Sequence, residues 1–147
     1  MFWRSNKPSG NTTKGEAMSK ADRVRVFSDF LKEEGYSPKT DDDGGIVSKA
    51  EGKSYLIILD DKDEEFFRIV FPGFWSIESP DERLKVEQAA LKATAGTKVA
   101  KVFPVQDNTW ASIELFSSSL DNAKSVFSRS VAALQAAVGT FAEEMSK

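Results

Sequence analysis

Chemistry in this chain would have to start from two acidic runs, Asp41-Asp42-Asp43 and Asp60-Asp61-Lys62-Asp63-Glu64-Glu65, because the sequence contains neither cysteine nor histidine. The thiol and the side chain most used for proton transfer near neutral pH are therefore both missing. A carboxyl group serves as a general acid only where burial lifts its pKa toward neutral. Both runs have the composition of solvated turns, so a carboxylate-based enzyme is the least favoured reading and a non-catalytic protein is expected. Asp61, Asp63 and Glu65 alternate as the first oxygen ligands of a calcium loop do. The glycine at the sixth position and the distant bidentate glutamate are lacking, and the run falls between strands instead of helices. It reads as a hairpin loop whose charges discourage edge aggregation, and no metal or cofactor is expected. Gly44-Gly45 matches neither dinucleotide nor phosphate loops. With a formal net charge of −3 and lysines scattered among acids, a nucleic-acid partner is not expected.

The 147 residues suit one domain with a proper core. No apolar run approaches the ~20 residues of a membrane span, and MFWRSNKPSG lacks the apolar stretch of a signal peptide. A soluble, cytoplasmic protein without membrane contact is the expectation. Residues 1–18 are rich in Ser, Asn, Thr, Lys and Gly and read as a disordered tail. Phe2 and Trp3 within it are either stray apolar residues or a short docking element. The domain occupies 19–147.

Ser19, with Asp22 three residues on, opens a first helix carrying Val24, Phe27, Phe30 and Leu31 at helical spacing. Gly35 ends it, with Tyr36 folding back on the last turn. Tyr36–Thr40 is a short strand candidate. Ile46–Ala50, Tyr55–Leu59 and Glu65–Phe71 follow as strands, with Glu51-Gly52 as a tight hairpin turn. Ser79-Pro80-Asp81-Glu82 combines a cap, a proline at the first helical position and a closing acid. The helix it starts runs to about Ala95, and its thin stripe of Leu84, Gln88, Leu91 and Ala95 suggests that it lies over a sheet edge. Lys98–Val105 and Thr109–Phe116 form a second hairpin through Gln106-Asp107-Asn108, with Pro104 favouring an edge strand. Ser118 or Ser119 caps a long last helix with a broad apolar face from Leu120 to Met145. The order is α-β-β-β-α-β-β-α, an α+β domain whose antiparallel sheet is packed with helices.

The stretch EEFFRIVFPGFW, residues 64–75, is apolar on both strand faces. If Leu59 lies across from Glu65, then Ile46, Tyr55, Ile57, Phe67 and Ile69 share one face. Val47, Leu56, Ile58, Phe66 and Val70 share the other, interrupted by Lys49 and Arg68, and a one-residue slip would exchange these memberships. Three helices cover one face well and the other in part. Leaving four such side chains in water costs on the order of 6–12 kcal/mol relative to burial. Either a helix or the Phe74-Trp75 loop folds over the second face, or another chain does, as a second copy or a client. Trp110 and Phe116, alternating away from Ala111, Ile113 and Leu115, extend the same patch. The partner-binding or dimer-interface residues predicted are thus Leu56, Ile58, Phe66, Val70, Phe74, Trp75 and Trp110.

With FSDFLKEEGYSP closing the first helix and EEFFRIVFPGF as third strand, the element order over about residues 20–145 resembles the YbjN family. These small bacterial and cyanobacterial proteins share the fold of type III secretion chaperones. The resemblance implies a non-catalytic, dimeric module whose sheet and second helix offer apolar surfaces to a protein partner. It also implies, as an alternative, a dedicated secretion-type chaperone holding an extended client segment.

Overall fold

The computed structural model describes residues 18–147. Phe2, Trp3 and the rest of the tail before Met18 lie outside the described residues. Among those described, the elements are α1 (Lys20–Glu33), β1 (Lys39–Thr40), β2 (Ile46–Ala50), β3 (Lys53–Leu59), β4 (Phe66–Phe71), α2 (Pro80–Gly96), β5 (Ala100–Val105), β6 (Asn108–Phe116) and α3 (Leu120–Met145). The strands form one antiparallel sheet in the order β1-β2-β3-β4-β6-β5. The fold is α+β as expected, with the two-residue β1 as a sixth strand.

Local chemistry fixes the ends of these elements. Ser19, Ser79 and Ser119 each accept the backbone N–H three residues on and so cap α1, α2 and α3. Glu82 reaches back to the N–H of Glu78 at 2.7 Å, one residue before the cap. Gly35, at φ +94°, lets the N–H of Tyr36 return to the carbonyl of Leu31. Glu51 and Gly52 both have positive φ, as a two-residue hairpin turn between paired Ala50 and Lys53 requires.

Two registers differ from the sequence expectation. Leu59 pairs with Phe67 instead of Glu65, a shift of two residues. Because side chains alternate with period two, that shift leaves every face assignment unchanged. The second hairpin turns on Gln106-Asp107 alone, and Asn108 already pairs with Val105.

The core lies between one sheet face and the helices. Ile46, Tyr55, Ile57, Leu59, Phe67, Ile69, Ala111 and Ile113 are buried there beneath Phe27 and Leu31 of α1 and Phe127, Leu134 and Phe141 of α3. Phe27 anchors the α1 end, touching the rings of Phe67 and Phe127. Helix α2 lies along edge strand β5 and against α3. Its stripe is a correction to the sequence reading: Leu84 and Leu91 are 59% and 71% exposed, and Gln88 and Ala95 are exposed too. The buried face is Val86, Ala89, Ala90 and Ala93. Small side chains allow close approach to α3 and β5, and the leucines are left outside.

Candidate partner-binding face

The second sheet face is built by cross-strand register. One row crosses all six strands as Lys39, Val47, Leu56, Val70, Ser112 and Lys101. Beside it run Ile58, Arg68 and Glu114, and beyond these Phe66 and Phe116. On the other flank Trp110 lies opposite Phe103. Five of the predicted site residues, Leu56, Ile58, Phe66, Val70 and Trp110, therefore share one face, and none belongs to the core cluster under the helices or packs against it, although Val70 is itself buried.

Phe74 and Trp75 are not part of that face. After Pro72 the chain turns at Gly73, φ +58°, and delivers both rings to the helical side. Phe74 stacks on Phe71 and meets Phe141 edge-on, and Trp75 meets the same Phe141 ring at 5.4 Å. The Trp75 indole N–H points to Glu82 at 3.4 Å. Cover of the second face by this loop is thus overturned, and so is cover by a helix, because the helices pack on the core side.

The cost of leaving the face uncovered is smaller than the sequence estimate, because side chains shield one another laterally. Val70, at the sheet centre, is 2% exposed, and Leu56, Ile58, Phe66 and Trp110 are half-buried. Phe116 is the exception at 78% exposed, its ring 5.6 Å from that of Phe66. Phe103 and the outward Leu91 of α2 were missed in the sequence. Together with Ala90, Glu87, Arg68, Lys101 and Glu114 they line a groove of about 520 Å³ where α2 stands beside β5.

Charge runs through the middle of this apolar surface. Glu114 contacts Lys101 at 3.0 Å and Arg68 at 3.7 Å. The acidic turns are arranged differently. Asp41 Oδ1 accepts the N–H groups of Asp43 and Gly45 at 3.0 and 2.8 Å. Asp60 Oδ2 accepts those of Lys62 and Asp63 at 3.1 and 2.8 Å. These backbone hydrogen bonds hold the Asp60 carboxyl below its ordinary pKa, the opposite of what a general acid requires.

Sheet edges are treated unequally. At β5, the Thr94 hydroxyl of α2 accepts the Val102 N–H at 2.9 Å and donates to the Val102 carbonyl at 3.3 Å. The Ala100 N–H bonds to the Lys98 carbonyl, and Pro104 has no N–H. This edge is sealed against a further strand.

No protein-family model matches the chain, and no curated protein matches it. No helix among the described residues is long and apolar enough to cross a membrane.

Proposed function

We propose that this chain is a non-catalytic protein-binding module that takes a partner chain on its open sheet face. One observation carries the reading: Leu56, Ile58, Phe66, Val70, Trp110 and Phe116 form an apolar face of the sheet outside the core, and no described segment covers it. Apolar patches of this kind mark interaction sites more often than accidents. The carboxylates of Asp41 and Asp60 are engaged as turn caps, which supports the non-catalytic part of the reading. On this proposal the α+β arrangement is the secretion-chaperone-like architecture of the YbjN resemblance, and the module works in the cytoplasm in a regulatory or chaperone-like role.

The test is affinity capture from the native cell with mass spectrometry, run in parallel on the wild type and on Phe116→Asp. A partner retained by the first and lost by the second is the expected result. Identical capture by both would remove the face from the account.

A second reading concerns self-association, favoured by the outward stripe of α2. Leu84, Gln88, Leu91 and Ala95 recur at three- and four-residue spacing on exposed helix, the pattern of a helix-pairing seam. A homodimer formed there buries Leu91, which also borders the groove beside β5, and leaves the cross-strand rows of the sheet available. Light scattering coupled to size exclusion tests it: a dimer that becomes a monomer on Leu84→Asp with Leu91→Asp supports the seam, and a monomeric wild type rejects it.

A further inference from the structure

The open face is strongly asymmetric in charge. Cross-strand register puts Lys39, Lys49, Arg68 and Lys101 on it against Glu114, while Glu87 of α2, which also lines the groove beside β5, is paired with Arg83 at 3.8 Å, in a chain whose formal net charge is −3. The turn acids, Asp41 to Asp43 and Asp60 to Glu65, lie in the loops between strands and not in the cross-strand rows of the face. Glu114 is shared between two cations and saturates neither. Its 3.7 Å contact with Arg68 is longer than a hydrogen bond, and a guanidinium carries five N–H donors. The side chains of Arg68 and Lys101 remain 39% and 49% exposed.

We infer that the occupant of this face is an acidic, apolar segment of another protein, seated with a carboxylate between Arg68 and Lys101 and apolar side chains against Phe103 and Leu91. The inference rests on the reading of the open face as a partner site and adds the chemistry of the partner. Charge complementarity selects against a second copy, since face-to-face stacking would set two cationic surfaces against each other. The sealed β5 edge selects the mode. Val102 already bonds to Thr94 and Pro104 offers no N–H, so the segment lies across side chains in the groove and does not extend the sheet there.

The test is selection of a random twelve-residue phage-displayed peptide library on the full chain, counter-selected on Phe103→Asp with Leu91→Asp. Enriched peptides are then synthesised and titrated by fluorescence anisotropy at low and high sodium chloride. Peptides combining Asp or Glu with Leu, Phe or Trp are expected. Affinity is expected to fall about tenfold on Arg68→Glu with Lys101→Glu, and to weaken with salt. Lys101→Glu alone, on an edge strand, is the fallback if the double variant unfolds, as read by circular dichroism. Face-dependent peptides without acidic bias or salt dependence would overturn the inference and leave the partner-site reading standing. Absence of any face-dependent peptide would count against both. Concentration-dependent self-association abolished by Phe116→Asp would assign the face to a second copy and overturn the inference.

Discussion

Two threonine-to-valine substitutions exchange the same atoms and should change stability with opposite sign. Thr94 Oγ1 holds both backbone groups of Val102, a residue 5% exposed beneath α2. Thr94→Val keeps the shape, removes both hydrogen bonds and leaves the Val102 N–H without its acceptor. A buried donor deprived of its partner costs about 1–3 kcal/mol. Thr109, on the core side of β6, is fully buried, and its Oγ1 has no hydrogen-bond partner. No described protein group bonds that buried hydroxyl, so Thr109→Val removes a desolvation penalty and should stabilise by about 1 kcal/mol. The two variants should therefore differ by about 2–4 kcal/mol in urea unfolding, read from shifted midpoints at constant slope. Thr94→Val within about 0.5 kcal/mol of wild type would refute the edge seal. Thr109→Val costing about 1 kcal/mol or more would show that the hydroxyl has a partner.

Three further outcomes follow from the packing and the charges. Phe141→Ala removes the fully buried ring met by both Phe74 and Trp75. It should cost about 3–5 kcal/mol in denaturant unfolding and red-shift the tryptophan emission. Phe116→Ser, by contrast, should stay within about 1 kcal/mol of wild type by the same unfolding measurement, because its ring is 78% exposed. The Asp60 carboxyl is held below its ordinary pKa by the N–H groups of Asp63 and Lys62. Its contribution is therefore present above that value and lost as pH falls below it. Asp60→Asn should lower the neutral plateau of a pH–stability curve and flatten its acid limb below about pH 4.

Face membership was legible in the sequence because alternation depends only on parity. The sequence pairing of Leu59 was two residues out, and Leu56, Ile58, Phe66 and Val70 still shared a face. Caps were legible because Ser19, Ser79 and Ser119 bond within their own first turns. Phe74 and Trp75 were misplaced because they follow Gly73, where no period applies and the direction of the chain is set by what Phe141 offers. The orientation of α2 was inverted because its core contact is made by alanines, which carry little hydrophobic signal, while Leu84 and Leu91 face outward. The convergence of Arg68, Glu114 and Lys101 depends on β6 lying between β4 and β5. So does the groove they share with Leu91, and neither could be read from local spacing.

Placing a photo-crosslinking benzoylphenylalanine at position 116, and in parallel at the exposed α3 position Ser125, tests the open face most directly in the native cell. A discrete protein adduct from position 116, absent from position 125, is the predicted result. No adduct from 116, or the same adducts from both positions, would contradict the claim that this face receives a partner.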